Sequence, residues 1–134
     1  MLHEEITEKI ISSFYVVYNV LGHGFLEKVY ENALAIQLMK AGCDVRQQEG
    51  IRVYFEGKQV GDYYADMVVD DLVIVELKAA ESLRAEHFAQ LTNYLKATDK
   101  EVGLLLNFGA KPEFKRIVLG NEGKNSKASH ADHI

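Results

Sequence analysis

Apolar residues at helical spacing predict two amphipathic helices at the start of the chain. The first is expected over about Glu4 to Val20, and Gly22-His23-Gly24 just after this range ends it. The second is expected over about Leu26 to Lys40, with Gly42 where a C-terminal cap belongs. Residues three and four apart share a helix face, so the first helix has a continuous apolar stripe. That stripe consists of Ile6, Ile10, Phe14, Val17 and Leu21.

After the second helix the pattern changes to one typical of strands. Asp44 to Glu49 and Ile51 to Glu56 are expected as two strands, or as one strand bent around Gly50. Glu56-Gly57-Lys58 is typical of a hairpin turn, and Gln59 to Val69 is the strand expected after it. This part of the chain therefore predicts an antiparallel hairpin.

The remaining elements alternate between strand and helix patterns. Asp70-Asp71 joins the hairpin to a strand over Leu72 to Ala79. A third helix is expected over about Leu83 to Ala97. The apolar run Val102 to Phe108 is typical of a strand covered on both faces. Phe114 to Leu119 is expected as a last strand or a short helix.

The predicted order is α-α-β-β-β-β-α-β, with a possible final element. It indicates an α/β protein of the α+β type, in which helices pack against a mixed central sheet. One domain is expected over residues 1–119, since a chain of 134 residues fits a single core. Residues 120–134 are polar and expected to be disordered, so His130 and His133 are expected to be solvated rather than metal-bound.

Composition narrows the class of protein. The 48% apolar and 26% charged residues are typical of a soluble globular protein. Cys43 is the only cysteine, and no apolar run approaches the roughly 20 residues that cross a membrane. We therefore expect a cytoplasmic protein without membrane contact. The sequence has no Ser-His-Asp arrangement, phosphate-binding glycine loop or Cys/His zinc spacing.

Charged residues interrupt two strands that are otherwise rich in apolar and aromatic residues. Glu76 and Lys78 lie two positions apart, so they share one face of their strand. Asp66 lies in the preceding strand. Charged side chains are rarely buried unless they are paired or metal-bound. Glu76 and Lys78 alone fit a same-face ion pair, but a second carboxylate at Asp66 repels Glu76 and requires neutralisation.

A proton, a lysine or a hard divalent cation would neutralise this carboxylate pair. Carboxylate oxygens suit Mg²⁺ or Mn²⁺ better than zinc. A shared site also depends on the hairpin, because a two-residue turn at Asp70-Asp71 would pair Asp66 with Val75 and turn Glu76 away. We therefore predict an odd-length loop or a bulge that places Asp66 opposite Glu76.

Three segments resemble one group of nucleases. Asp66, followed after nine residues by Glu76-Leu77-Lys78, resembles the D-x(n)-E-x-K core of the PD-(D/E)XK nuclease superfamily. Gly24-Phe25-Leu26-Glu27-Lys28-Val29-Tyr30 reads G-x-x-E-x-x-Y, the signature of the small GxxExxY family placed in that superfamily. Gln90-Leu91-Thr92-Asn93-Tyr94 reads Q-x-x-x-Y, as in the recombination-exonuclease branch.

The resemblance spans roughly Glu4 to Leu119, with Ala65 in place of the proline in the superfamily name. It implies a restriction-endonuclease-like fold and a nuclease that uses Mg²⁺ or Mn²⁺. The implied metal ligands are Asp66, Glu76, the backbone carbonyl of Leu77 and the helix-borne carboxylate of Glu27. The implied catalytic residues are Lys78, Glu76 and Asp66. Gln90 and Tyr94 are implied to contact substrate, and Gly24 and Tyr30 to be structural.

Two functions from different classes stay open. The first is a metal-dependent nuclease acting on DNA or RNA, and a homo-oligomer is consistent with either function. The second is a catalytically inactive nuclease-fold protein that binds nucleic acid or serves in an assembly. The net charge of -5 favours the second, because an acidic molecule repels polyanions at long range. Six basic residues are expected to contact phosphate groups if they cluster around the cleft. They are Lys58, Arg84, Lys96, Lys111, Lys115 and Arg116.

Overall fold

The computed structural model describes residues 1–124. In these residues the helices are α1 (Glu4–Leu21), α2 (Glu27–Lys40) and α3 (Ala85–Lys96). The strands are β1 (Val45–Phe55), β2 (Lys58–Val69), β3 (Val73–Lys78), β4 (Val102–Phe108) and β5 (Pro112–Val118). A short 3₁₀ helix over Asn121–Gly123 follows β5.

The five strands form one mixed sheet in which β1 to β5 lie side by side in chain order. β3 and β4 are parallel, and the other neighbouring pairs are antiparallel. The parallel pair is connected through α3, as a parallel connection requires a crossover element. The predicted fold class, a mixed sheet with helices packed against it, is confirmed.

The order of elements departs from α-α-β-β-β-β-α-β and follows the alternatives left open at both edges of the sheet. Val45–Phe55 is one strand, and Gly50 pairs with Tyr64 inside it. The ladder is instead irregular at Gln48, whose φ is 53°, and at a bulge between Val53 and Tyr54. The segment expected over Phe114 to Leu119 as a strand or a short helix is the strand β5, so the observed order of helices and strands up to β5 is α-α-β-β-β-α-β-β.

Two apolar cores lie on opposite faces of the sheet. Val75 of β3 packs with residues of α1 and α2, whereas Ile74 packs with Leu91 of α3. All of β4 and nearly all of β3 are buried, which confirms the prediction that the 102–108 strand is covered on both faces. Because β3 is covered on both sides, a charged side chain on it is largely shielded from solvent.

The loop between β2 and β3 contains three residues, Asp70, Asp71 and Leu72. Val69 pairs with Val73 and Met67 with Val75, so the same register places Asp66 opposite Glu76. The predicted odd-length loop is therefore confirmed. Asp70 and Asp71 both adopt positive φ values, 53° and 56°, which Asp tolerates better than most residues. The carboxylate of Asp70 accepts a hydrogen bond of 2.7 Å from the backbone N–H of Asp44.

Residues 120–124 are ordered and include the 3₁₀ helix Asn121–Gly123, whereas disorder was expected to begin at residue 120. Lys124 Nζ donates to the backbone carbonyl of Thr98 at 3.0 Å. The expectations for residues 125–134, including His130 and His133, lie outside the described residues. Within residues 1–124, no helix is both long enough and apolar enough to cross a membrane.

Gly103 allows α3 to approach the sheet closely. An added Cβ at this position would lie 2.8 Å from Leu91 Cδ1, which is closer than carbon atoms pack. Gly103 pairs with Ile74 of β3, so the helix that carries Gln90 and Tyr94 is set against the strand that carries Glu76. The absence of a side chain at one position of β4 thus sets how near α3 lies to the candidate site.

We expect Gly103→Ala to lower the free energy of unfolding by about 1–3 kcal/mol, the usual cost of overpacking a core. Urea unfolding of Gly103→Ala, Leu91→Ala and the double variant would measure this. Because the smaller residue at position 91 makes room for the added methyl group, the double variant should lose less stability than the sum of the two single variants. Simple additivity of the two losses would contradict the proposed contact.

Candidate active site

Asp66 and Glu76 meet where the pairing between β2 and β3 ends. The last backbone pair there is Met67 with Val75. Beyond it, the backbone N–H of Asp66 donates to Glu76 Oε2 at 2.6 Å, and the backbone N–H of Leu77 donates to Asp66 Oδ2 at 2.9 Å. Each carboxylate therefore bonds to the backbone of the opposite strand, and the two acidic side chains bridge the strands where the ladder stops.

Burial strongly affects both carboxyl groups. The Glu76 side chain is almost fully buried, and this burial, together with the nearby Asp66 carboxylate, raises the pKa of Glu76 to about 8. Burial also raises the pKa of Asp66, although the hydrogen bond from Leu77 acts in the opposite direction. The site therefore holds two acidic groups that resist carrying two negative charges without a compensating cation.

Lys78 connects this pair to α3. Its Nζ donates to Gln90 Oε1 at 3.3 Å, and Gln90 Nε2 donates to the Tyr94 hydroxyl at 3.1 Å. The positive charge of Lys78 offsets part of the rise in the pKa values of Asp66 and Glu76, so it lies within electrostatic reach of both. Burial and the charge of Glu76 raise the pKa of the Tyr94 hydroxyl. The structure thus brings the E-x-K and Q-x-x-x-Y segments into one hydrogen-bonded row.

The G-x-x-E-x-x-Y segment places Glu27 beside the end of β3. Glu27 is the first residue of α2, and its Oε2 accepts a hydrogen bond of 3.2 Å from the backbone N–H of Ala79. Gly24 has a φ of 113°, a conformation that favours glycine, in the turn before the helix. Tyr30 is fully buried, and its hydroxyl donates to the carbonyl of Gly22 at 2.7 Å. Gly24 and Tyr30 therefore shape the turn that positions Glu27.

Glu31 also belongs to the site, and the sequence interpretation missed it. Its side chain is buried, and its carboxylate accepts hydrogen bonds from the amides of Gln47 and Gln48 at 2.7 and 2.9 Å. Its negative charge contributes to the raised pKa of Asp66. The available signal was the spacing of four from Glu27, which places the two carboxylates on the same face of α2.

Asn107 is a second residue that the sequence interpretation missed. It is fully buried on β4, where it pairs with Lys78. Its side-chain amide accepts from the backbone N–H of Ala80 at 2.9 Å and donates to the Ala80 carbonyl at 3.0 Å. Asn107 therefore holds the chain immediately after Lys78. The signal was a single amide within an otherwise apolar run.

The other candidate residues are not gathered into one surface. The six cations proposed for phosphate contacts are spread over the start of β2, both ends of α3, the β4–β5 connection and β5. Arg84 precedes the first turn of α3, where its backbone N–H donates to His87 Nδ1 at 3.0 Å. His87 is thus a capping residue. Cys43 is buried, and burial raises the pKa of its thiol.

The donor set of the site fits a hard divalent cation. Within residues 1–124, no group of three or more His, Cys, Asp or Glu side chains is arranged to hold a metal ion. Mg²⁺ does not need such a cage, since it is usually held by one or two carboxylates and completes its shell with water and substrate phosphate. Asp66 and Glu76 supply two carboxylates, and a cation between them would relieve the repulsion that helps to raise the pKa of Glu76.

Comparison with known proteins agrees with this geometry. Residues 4–117 match a family model described as PD-(D/E)XK nuclease superfamily, and the chain belongs to that superfamily. A solved structure titled "Crystal structure of SSO0001" is similar, with a TM-score of 0.57 and 20% sequence identity. The similarity covers 87% of this chain and 59% of that one, so this chain spans less than two thirds of that protein. No curated protein matches the chain.

We expect the metal-free protein to lose stability as the pH rises from about 4.5 to about 8, the ordinary and the folded-state pKa of Glu76. In this window the folded state binds more protons than the unfolded state, so the unfolding free energy falls with increasing pH. Urea unfolding in EDTA at a series of pH values would measure the slope.

Glu76→Gln is the matched control for this measurement, because it keeps the size of the side chain and removes its titration. The slope for Glu76→Gln should be clearly smaller than the slope for the unmodified protein between these pH values. Equal slopes would mean that Glu76 is not the group whose ionisation the fold resists.

Proposed function

We propose that this protein is a divalent-metal-dependent nuclease that cleaves phosphodiester bonds in DNA or RNA at the Asp66–Glu76 pair. The observation that carries the proposal is the meeting of the buried carboxylate of Glu76 with the half-buried carboxylate of Asp66 across β2 and β3. Glu76 lies two residues before Lys78 on the same strand. Membership of the PD-(D/E)XK nuclease superfamily supports the same reaction class.

Each site residue has a role in this proposal. Asp66, Glu76, the backbone carbonyl of Leu77 and the Glu27 carboxylate would hold Mg²⁺ or Mn²⁺, and Glu31 adds negative charge near Asp66. When bound, the cation polarises the phosphate and makes a water molecule more acidic. Lys78 lies close enough to this charge to orient the attacking water and to stabilise the charge that develops on the phosphate. Gln90 and Tyr94 hold the Lys78 ammonium group in place.

Within the superfamily, we propose membership of the GxxExxY family. The support is the part that the signature residues play in the fold: Gly24 and Tyr30 form the turn, and Glu27 reaches β3 from it. A cytoplasmic location and a homo-oligomer stay predictions from the sequence.

A catalytically inactive nucleic-acid-binding or assembly module is the second candidate function. Two observations favour it, the net charge of -5 and the pKa of about 8 at Glu76. A carboxyl group with that pKa is largely protonated at neutral pH, and a protonated carboxyl binds metal weakly. The two candidates therefore differ in whether a divalent cation displaces the proton of Glu76 under physiological conditions.

We expect cleavage of single-stranded, duplex or branched substrates in Mg²⁺ or Mn²⁺ and no cleavage in EDTA. Glu76→Ala and Lys78→Ala should each lower the rate by about 10²–10⁴-fold, because these side chains act on the transition state. Lys40→Ala is the matched control for Lys78→Ala. This lysine is exposed at the end of α2 farthest from Glu27, and its removal should leave the rate unchanged.

A calorimetric measurement of Mn²⁺ binding distinguishes the two candidate functions. The nuclease should bind Mn²⁺, and Glu76→Ala should lose that binding while its thermal unfolding stays cooperative. Absence of both cleavage and Mn²⁺ binding would favour the inactive module. Cleavage that persists in both Glu76→Ala and Lys78→Ala would indicate a contaminating nuclease.

A further inference from the structure

A cavity of about 320 Å³ lies directly beside the Lys78–Gln90–Tyr94 row. Its lining residues are Tyr63, Glu86, Ala89, Gln90, Asn93 and Tyr94. Gln90 and Tyr94 belong both to this cavity and to the candidate active site. A group in the cavity is therefore one side chain away from the Lys78 ammonium group.

Tyr63 forms the aromatic wall of this cavity. It lies on β2 three residues before Asp66, and it is 51% exposed. Its ring centroid is 6.0 Å from that of Tyr94, at an interplanar angle of 46°. The ring also lies over Gly61, where an added Cβ would be 2.9 Å from Tyr63 Cε2. The missing side chain at Gly61 leaves the space that the ring occupies.

The chemistry of the lining fits a nucleobase better than a phosphate group. The cavity contains no Lys or Arg and contains the carboxylate of Glu86, so it repels an anion. An exposed aromatic ring offers a face for stacking, which every base accepts. The amides of Gln90 and Asn93 can donate to or accept from base edges, and a carboxylate can accept from an exocyclic amino group.

We propose that this cavity holds an unpaired base of the substrate, stacked on Tyr63, next to the phosphodiester bond at the Asp66–Glu76 pair. The proposal rests on the proposed nuclease function and names its substrate class, nucleic acid that is single-stranded at the site of cleavage. A base inside an intact duplex is stacked on its neighbours and cannot reach a protein pocket without leaving the helix. Single-stranded DNA and single-stranded RNA both present such a base.

The test measures binding in EDTA, so that it does not depend on catalysis. The probes are single-stranded DNA and RNA oligonucleotides labelled with a fluorophore, and the same DNA as a duplex. Tyr63→Ala should weaken single-strand binding by about 5- to 150-fold, the effect of losing one stacked base. Tyr63→Phe should bind as the unmodified protein does, because it keeps the ring. Duplex binding should be the same for all three proteins.

Tyr64→Ala is the matched control, because Tyr64 is the next residue on β2 and is similarly exposed, at 57%. Adjacent strand residues point to opposite sides, so its ring does not share the cavity with Tyr63. Equal losses in Tyr63→Ala and Tyr64→Ala would overturn the proposal, as would an equal loss in Tyr63→Phe. Thermal unfolding of each variant shows whether its fold is retained.

The outcome is separable from that of the proposed nuclease function. Single-strand binding that depends on the Tyr63 ring, without cleavage in Mg²⁺ or Mn²⁺, would support the base cavity and contradict the nuclease. Cleavage of duplex substrate by a protein that binds no single strand would support the nuclease and overturn the cavity. Comparison of the DNA and RNA probes identifies which sugar the substrate carries.

Discussion

The repulsion between the buried carboxylate of Glu76 and the half-buried carboxylate of Asp66 is the constraint on which this structure depends. A fold that buries one carboxyl group needs a hydrogen bond or a counter-charge, and one that buries two side by side needs both. The backbone N–H groups of Asp66 and Leu77 supply hydrogen bonds across the gap. Lys78 supplies part of the counter-charge. The charge that remains would be neutralised by a proton on Glu76 or by a bound cation.

The surrounding elements hold this unfavourable arrangement in place. β3 lies in the middle of the sheet with an apolar core on each face. Its backbone at Glu76 is therefore held from both sides. Asn107 fixes the chain just after Lys78 through two hydrogen bonds to Ala80. Apolar packing at a distance from the acidic groups thus offsets the free-energy cost of burying them. Rigid packing of this kind also keeps the site organised for binding.

Much of the fold could be predicted from the sequence because it depends on local periodicity. The three helices were predicted to within a few residues of their observed ends, and the odd loop between β2 and β3 followed from requiring Asp66 to face Glu76. The positions at which the β1 strand is irregular could not be predicted. One of its two irregularities lies at Gln48, which has a positive φ and whose side-chain amide donates to Glu31, 17 residues earlier in the chain on α2. No local pattern contains such a contact.

The sequence by itself determined the element types and singled out Asp66, Glu76 and Lys78, because residue type and spacing along one element carry that information. Glu27, Gln90 and Tyr94 became candidates through the resemblance of their segments to the nuclease superfamily. Tertiary structure alone decided which of these meet. It added Glu31 and Asn107 to the site and set the ring of Tyr63 beside Gln90. It also raised the pKa values of the two carboxyl groups. The burial of a side chain and its distance to residues far away in the chain are set only when the helices pack on the two faces of the sheet.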